Sequence, residues 1–365
     1  MGLQKIILSI ALRIVDLLTF YVRPQEDRIT FVSLQEEKMT GDFKLIYDLL
    51  KQEQKYDIHQ NLILMKTNSL KAQWNYFLNC LHQLVEYKKS KLVILNDNNF
   101  VISTYKPKHC KVLQIWHACG AVKKFGNEIK RRYPIANYDY VICSAPYWKA
   151  VYSRSFDVPE DHVLVTGMPR TDLLYRTKTD EFYRKYPQCA GKKLCLYAPT
   201  FRGNFVDGMK VNSFDIAKVQ QALPDWIILY KFHPLLGDVQ IDSPTAINVN
   251  NEDLYQLMQV SDCMISDYSS VIFDYSLLDK PWFAYVSDLE EYKQTIGLNV
   301  DFTEFPGMVC KNEAEIIDAL SDLKSFDPQK NQQFRKKYMF FTDGQNTQRV
   351  VFCIDQIMQE KMPYV

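Results

Sequence analysis

The sequence predicts an α/β protein with two parallel-sheet domains, and three observations predict it. Short apolar runs recur along the whole chain. They alternate with amphipathic segments, and they fall into two series separated by a polar stretch. Continuous apolar strands set between helices signify parallel sheets covered on both faces. A length of 365 residues suits two cores better than one.

The chain opens with "MGLQKIILSIALRIVDLLTFYVRP", residues 1–24. At about 100° per residue, Lys5, Ser9, Arg13, Asp16 and Arg23 fall on one face, and Leu3, Ile6, Ile7, Ile10, Ile14, Leu17, Leu18 and Tyr21 occupy the rest. Pro24 marks the end of this helix. Arg13 and Asp16 interrupt the apolar run, so it falls short of the roughly 18–20 residues that cross a bilayer. No small-residue cleavage site follows. A wide apolar face with a thin polar stripe fits a helix lying in a membrane interface. It also fits a helix docked on the protein's own core or on a partner.

The first strand series reads "RITFVSL" (28–34), "NLILM" (61–65), "KLVILND" (91–97), "KVLQIWH" (111–117), "DYVICSA" (139–145) and "HVLVTG" (162–167). It defines a first domain over 25–180. A polar segment carrying Pro187 and Gly191 then links the two halves near 175–192. The second series reads "KLCLYAPT" (193–200), "DWIILYKFH" (225–233), "AINVN" (246–250), "DCMISDYSS" (262–270), "KPWFAYV" (280–286) and "GMVCK" (307–311). It defines a second domain over 190–345. Helical patterns such as "EDLYQLMQVS" (252–261) and "AEIIDALSDL" (314–323) lie between its strands. The last helix, within 346–365, is long enough to pack back across the domain boundary toward the first domain.

Composition excludes several classes. A formal net charge of +1 gives no basic footprint for nucleic acid. The 23 Tyr and 21 Phe set against 12 Gly describe an ordered globular chain. The nine cysteines are odd in number, and no two form a CxxC. Several sit in apolar strands, so they read as reduced, buried thiols of a cytosolic protein and not as a zinc site.

In open parallel sheets, ligands bind beyond the carboxyl ends of the strands, and polar residues gather at these strand exits. His117 follows "KVLQIW" and precedes Lys123 and Lys124. It is either a general base beside an anionic substrate or a histidine satisfied by backbone at a turn. Arg170, in "TGMPRTD", can hold a carboxylate or phosphate through its fork, while Asp172 can cap a helix. Arg202, in "YAPTFRG", and His233, in "KFHP", stand at equivalent exits. The strand "CMIS" ends at Asp267, and "YSS" opens the next helix. Ser269 and Ser270, with the helix N–H groups, form an uncharged anion cradle. A plain N-cap would need only one serine. No Walker A or dinucleotide fingerprint is present. Donors around a diphosphate point to a nucleotide-linked donor whose diphosphate is broken.

Five segments, "WHACGAVKKFG", "TGMPRTD", "YAPTFRG", "KFHP" and "ISDYSSVIFDYSLLDKPWFAY", stand in the order and approximate spacing of the CDP-glycerol glycerophosphotransferase family of wall teichoic acid synthesis. The chain resembles that family from about residue 90 to 345. Its length and its Trp-His-Ala-Cys-Gly-Ala segment look like the primase branch, since many polymerases carry Trp-His-Gly-Thr-Pro instead. The resemblance implies a GT-B-like pair of Rossmann-like domains facing across a cleft, working as a peripheral protein on the cytosolic face of the membrane. It implies transfer of sn-glycerol 3-phosphate from CDP-glycerol to the ManNAc hydroxyl of undecaprenyl-diphosphate-linked ManNAc-GlcNAc, with release of CMP. By motif position, His117 resembles the catalytic base. His233, Arg202, Ser269 and Ser270 resemble the diphosphate-binding group, His233 being counted with the catalytic residues; Arg170 and Asp267, at their own strand exits, are counted with the donor-binding residues.

No cofactor is required on this reading, because fixed cations and helix N–H groups balance the phosphoryl charge. Asp267 and Asp274 are the carboxylates from which a magnesium site would be made. The expected partners are CDP-glycerol, the lipid-linked disaccharide, the membrane surface and other teichoic acid enzymes. The alternatives are a ribitol-phosphate transferase or polymerase of the same family, a GT-B nucleotide-sugar glycosyltransferase, and an inert membrane scaffold.

Overall fold

The computed structural model describes residues 3–64, 69–176, 179–204, 208–211, 213–232, 241, 243 and 245–364; the side chains of 3, 4, 201–204 and 208–211 are not described. The chain divides into two units. Unit 1 comprises Met1–His117, Phe125–Asp172 and Asp343–Val365, and unit 2 comprises Ala118–Lys124 and Leu173–Thr342.

Unit 1 contains, in chain order, α1 (Leu3–Leu18), β1 (Gln25–Ser33), α2 (Gly41–Glu53), β2 (Asp57–Leu62), α3 (Leu70–Lys89), β3 (Ser90–Leu95), α4 (Phe100–Tyr105), β4 (Lys111–Gln114), β5 (Tyr140–Cys143), α5 (Trp148–Phe156) and β6 (Val163–Val165). Its six strands run parallel in the order β2-β1-β3-β4-β5-β6. The inner strands are the near-continuous apolar runs that burial on both faces demands, as in Leu92, Val93, Ile94 and Leu95 of β3. The chain reverses its direction of travel across the sheet between β1 and β3, so ligand chemistry in this unit belongs at the carboxyl ends of those two strands.

Helix α1 inverts the ordinary meaning of an amphipathic pattern. Its polar stripe faces the protein. Lys5 Nζ donates to the Arg132 carbonyl at 2.6 Å, Arg13 Nε donates to the Tyr105 hydroxyl at 3.0 Å, and Lys88 Nζ pairs with Asp16 Oδ1 at 2.6 Å. Leu8 and Leu12 are buried between these contacts. The wide apolar face points outward, with Ile10 54% and Leu17 73% exposed. The helix ends at Leu18, short of Pro24. The residues after it, Thr19, Phe20, Tyr21 and Val22, are β-branched or aromatic and favour helix weakly. No helix among the described residues is long and apolar enough to cross a membrane.

Unit 2 continues with α6 (Asp180–Lys185), β7 (Lys193–Tyr197), β8 (Phe201–Asn204), β9 (Gly208–Val211), α7 (Ile216–Ala222), β10 (Trp226–Tyr230), β11 (Ile247–Asn248), α8 (Leu254–Val260), β12 (Cys263–Ser266), α9 (Val271–Ser276), β13 (Trp282–Tyr285), α10 (Leu289–Thr295), β14 (Val309–Cys310), α11 (Glu313–Asp322) and α12 (Pro328–Tyr338). Its parallel sheet has the order β11-β10-β7-β12-β13-β14. The reversal falls between β7 and β12, which puts this unit's binding edge at the exits of those strands. β8 and β9 pair antiparallel as a hairpin beyond the end of β7.

The chain then returns to unit 1 as α13 (Asn346–Met358). The Asp172 carboxylate, buried at the end of the Phe125–Asp172 stretch of unit 1, receives the Asn346 and Thr347 N–H groups at 3.0 and 2.8 Å and the Thr347 hydroxyl at 2.6 Å. Asp172 therefore caps a helix, but one that begins far along the chain and not the turn beside it. None of the nine cysteines forms a disulfide, and all are buried.

Candidate active-site groups

In unit 1, the exits of β1, β3 and β4 carry a connected polar cluster. β4 ends at Gln114, and the backbone then turns through the left-handed region at Trp116, φ +56°. That conformation costs a non-glycine residue about 1–2 kcal/mol, so neighbouring contacts must hold it. Gln114 does so. Its Oε1 accepts the Trp116 N–H at 2.8 Å, and its Nε2 donates to the Asp97 carbonyl at 3.0 Å.

The turn delivers His117, whose Nδ1 lies 3.1 Å from the Asn96 carbonyl. A carbonyl only accepts, so Nδ1 carries the proton and Nε2 presents its lone pair. Burial pushes the imidazole below its ordinary pKa, and the Asp97 charge and the Asn96 carbonyl oppose this only in part. The ring is therefore neutral near pH 7, the state that a base requires.

Arg170 lies in the same cluster. Its Nη1 donates to the His117 carbonyl at 2.9 Å. Its backbone N–H and Nε donate to Asp42 at 2.7 and 2.6 Å, and Nη2 pairs with the same carboxylate. Asp42, in the first turn of α2, is almost fully buried. Beside it, Glu36 accepts from Asn96 Nδ2 at 3.0 Å and from the Thr40 N–H at 3.2 Å. Burial raises the Glu36 carboxyl above the usual range, with the Thr40 N–H and the Arg170 charge pulling the other way.

In unit 2, the two strands at the reversal are joined at their exits. Asp267, at the end of β12, accepts the Thr200 N–H at 2.8 Å and the Thr200 hydroxyl at 3.0 Å. Ser266 Oγ donates to the Ala198 carbonyl at 2.6 Å. Ser269 and Ser270 follow at the start of α9. Ser269 Oγ accepts the Val271 N–H at a long 3.4 Å, and Ser270 makes no side-chain cap bond. Tyr268, just before them, is buried, stacked on Tyr292 at 3.8 Å and donating to Asp288 at 2.9 Å.

The segment Ala118–Lys124 belongs to this unit. The Cys119 thiol donates to Asp274 Oδ1 at 3.0 Å, Tyr255 donates to the same oxygen at 2.7 Å, and Lys123 Nζ reaches the Tyr292 hydroxyl at 3.5 Å. Lys231, of the "KFHP" segment, ties β10 to the loop before α8 through the Asn250 and Glu252 carbonyls, both at 2.8 Å. Burial pushes its ammonium pKa down.

The sequence-predicted residues are therefore distributed between two sheet edges. His117 and Arg170 share the unit 1 edge. Asp267, Ser269 and Ser270 share the unit 2 edge. The backbone of Arg202 lies in the β8–β9 hairpin next to β7, but its side chain lies outside the described residues, as does the whole of His233. Asp267 and Asp274 are each engaged with protein donors, and among the described residues no group of three or more His, Cys, Asp and Glu is placed to hold a metal ion. Asp42, Asn96 and Thr200 are the cluster members that the sequence reading missed. "LND" after β3 is the local signal of Asn96, "TGD" at the start of α2 that of Asp42 and "YAPT" after β7 that of Thr200, but only the strand order shows that the first two adjoin His117.

Comparison with known proteins fits this geometry. The chain matches the CDP-Glycerol:Poly(glycerophosphate) glycerophosphotransferase family over residues 16–356. It is 31% identical to a teichoic acid ribitol-phosphate primase of Bacillus spizizenii, with 94% of each chain covered. It is 29% identical to a teichoic acid glycerol-phosphate primase of Bacillus subtilis, covering 73% of this chain and 74% of that protein. Among solved structures, the wall teichoic acid polymerase TagF superposes with a TM-score of 0.74 at 22% identity, covering 96% of this chain and 93% of the other. The last comparison bears on the fold alone.

Proposed function

The chain belongs to the CDP-glycerol:poly(glycerophosphate) glycerophosphotransferase family, and from that premise we propose that it is the primase of wall teichoic acid linkage-unit synthesis. It transfers sn-glycerol 3-phosphate from CDP-glycerol to the ManNAc hydroxyl of undecaprenyl-diphosphate-linked ManNAc-GlcNAc. The observation that carries this reading is His117, set at the exit of β4 beside Arg170, with Nδ1 tied to the Asn96 carbonyl and Nε2 open to a proton.

The acceptor oxygen attacks the β-phosphorus and its proton passes to His117 Nε2. The new P–O bond forms as the bond to the α-phosphate oxygen breaks, and CMP leaves. Little covalent chemistry is asked of the protein in phosphoryl transfer; positioning and charge stabilisation do most of the catalysis. Ser269, Ser270 and Arg202 hold the diphosphate, His233 balances the charge that develops on it, and Asp267 fixes the strand exit through Thr200. No metal is needed on this reading, although magnesium carried in with the donor remains compatible with it.

The outward apolar face of α1 supports peripheral attachment to the cytosolic face of the membrane, where a lipid-linked acceptor resides. Ile6, Ile7, Ile10, Ile14, Leu17 and Leu18 are all exposed. On α3, Leu70, Trp74 and Leu78 make a second exposed stripe at four-residue spacing. Such a surface is stable against lipid and costly in water.

One observation favours a second reading. The ribitol-phosphate primase aligns with this chain end to end, whereas the glycerol-phosphate primase aligns over about three quarters of it. Ribitol phosphate from CDP-ribitol is the donor on that reading, and the acceptor already bears a glycerol phosphate. Purified protein given each CDP-alditol with synthetic lipid-linked disaccharide, bare or primed, decides between them. Single addition from CDP-glycerol to the bare acceptor supports the first reading. Single addition from CDP-ribitol to the primed acceptor supports the second. A ladder of products makes the protein a polymerase, and no CMP from any pairing removes the enzymatic reading.

A further inference from the structure

We propose that Asp42 is a positioning residue for the proton transfer: through Arg170 it fixes the main chain of His117, which in turn aims the imidazole. The proposal rests on the reading of His117 as the base. Its observations are independent of that reading, because they concern what holds the residue and not what it does.

His117 is fastened at two points. The ring is tied to the Asn96 carbonyl, and the backbone carbonyl is tied to Arg170 Nη1 at 2.9 Å. The second tie is only as stiff as Arg170. A long side chain with many rotamers holds a position only if its other donors are also occupied. Asp42 occupies them, taking the Arg170 backbone N–H, Nε and Nη2 on its two carboxylate oxygens.

Asp42 makes no cap for its own helix, whose N-cap is Thr40. Its position 3% exposed is one where an unpaired carboxylate would be expensive. The pair therefore joins three elements at the strand exits. The start of α2 carries Asp42, the turn after β6 carries Arg170, and the left-handed turn after β4 carries His117.

The same geometry makes Asp42 an electrostatic partner of the base. The charges facing His117 are Asp97 from the exit of β3, Arg170 from the turn after β6 and Asp42 from α2. Glu36, from the loop before α2, lies beside Arg170 and Asp42. Removing the Asp42 charge leaves the guanidinium uncompensated, which makes the imidazole harder to protonate. Removing the Arg170 charge has the opposite effect.

The test uses the full-length protein and whichever CDP-alditol the wild type turns over, with CMP release as the signal. Asp42→Asn keeps the shape and one acceptor but loses the charge. It is expected to lower kcat by roughly 10–100-fold, the range for displaced or weakly supported catalytic groups, with the donor KM changed by less than about threefold. The acid limb of its kcat/KM profile moves to lower pH, and that of Arg170→Gln moves to higher pH. The double variant is no slower than the slower single, since both changes cut one chain of contacts.

If Asp42→Asn fails to fold, Arg170→Lys takes its place. It keeps the charge pair and loses the fork, and it is expected to lose kcat by a similar factor while remaining folded. Unmoved acid limbs with kcat falling only in step with the folded fraction overturn the proposal and leave Asp42 a stabilising residue. Full activity in Asp42→Asn or Arg170→Lys does the same. His117→Gln, measured alongside, separates the two claims: if it retains turnover the base assignment falls, and if it is dead while Asp42→Asn is active, only the positioning claim falls.

Discussion

A histidine at the exit of a strand has two ordinary destinies, and the contacts of His117 decide less between them than its electrostatics do. The Asn96 carbonyl satisfies one ring nitrogen in either case. A buried structural histidine also has one unprotonated ring nitrogen and a pKa lowered by burial; what it does not need is the set of charges that faces His117 at the strand exits, Asp97, Arg170 and Asp42. His117→Ala is expected to lower kcat by about 10²–10⁴-fold with donor affinity nearly intact, measured by single-turnover CMP release and by calorimetry. A variant retaining over a tenth of wild-type turnover removes His117 from the role. The pH dependence has a definite sign. Because the folded-state pKa is depressed, the imidazole stays neutral as the pH falls through the ordinary histidine value of about 6.5. The acid limb of kcat/KM therefore lies below that value, and a limb at or above it contradicts the assignment. By linkage, the unfolded chain takes up this proton first, so His117 also lowers stability as the pH drops through the same window. On the other sheet edge, Ser269→Ala with Ser270→Ala, and separately Arg202→Ala, are expected to weaken donor binding. Loss of a charge-assisted bond is worth about 1.5–3 kcal/mol, so the arginine change costs roughly tenfold or more in affinity. Unchanged donor affinity in both variants would end the cradle argument.

Elements were legible where burial repeats a simple pattern and illegible where it does not. Among the described residues, the twelve parallel strands lie on or beside the apolar runs that announced them. The largest displacement is β2, expected at 61–65 and found at Asp57–Leu62. It is an edge strand whose pairing among the described residues is with β1, so it is half exposed and need not be apolar, and the run "NLILM", whose Met65 lies outside the described residues, overlaps only its end. The hairpin of β8 and β9 escaped notice because its strands are short and polar, although Asp-Gly at 207–208 is a turn signal. Helix α1 was legible as an amphipathic helix, but not in which direction its faces point. Sequence periodicity gives the stripe, and only the contacts of Lys5, Arg13 and Asp16 show that the stripe faces the protein. This orientation yields opposite expectations for neighbouring positions. Ile10→Asp with Ile14→Asp should abolish flotation with anionic vesicles while leaving the melting temperature within a degree or so, because both side chains are half exposed. Leu12→Ala, at a fully buried position, should cost about 2–5 kcal/mol of stability and leave flotation of the folded protein intact. The reverse pattern would make the outward face of α1 a surface with no affinity for lipid.

At the scale of the molecule, two sheets with reversed strand order place chemistry at two edges, and the sequence reading found one or more residues at each. It could not know which exits adjoin, since that depends on strand order, and this is why His117 was found while Asp42 and Asn96 were not. It placed the last helix back toward the first domain but could not say which residues close unit 1. The chain leaves this unit at Asp172 and re-enters it at Asp343, so its integrity depends on a joint between distant segments. Asp172 is that joint: its carboxylate receives the first N–H groups of α13, where negative charge is favoured by the helix dipole. Gly167, at φ +74°, lets Asn346 approach, and a Cβ there would lie 2.1 Å from Asn346 Oδ1. Behind the joint, α13 buries Val350, Val351, Cys353, Ile354 and Ile357. Asp172→Ala leaves two buried N–H groups without their acceptor, a loss of about 3 kcal/mol or more. Gly167→Ala adds strain at the same contact. Both changes should lower the urea midpoint of unit 1, followed by the fluorescence of Trp148, which is buried in that unit. The midpoint of unit 2, followed by Trp226 and Trp282 with the other tryptophans replaced, should move much less. Two separable transitions are the expected behaviour of a chain with two cores. A single transition shifted equally at all three tryptophans would show instead that the units unfold as one, and that Asp172 supports the whole protein and not unit 1 alone.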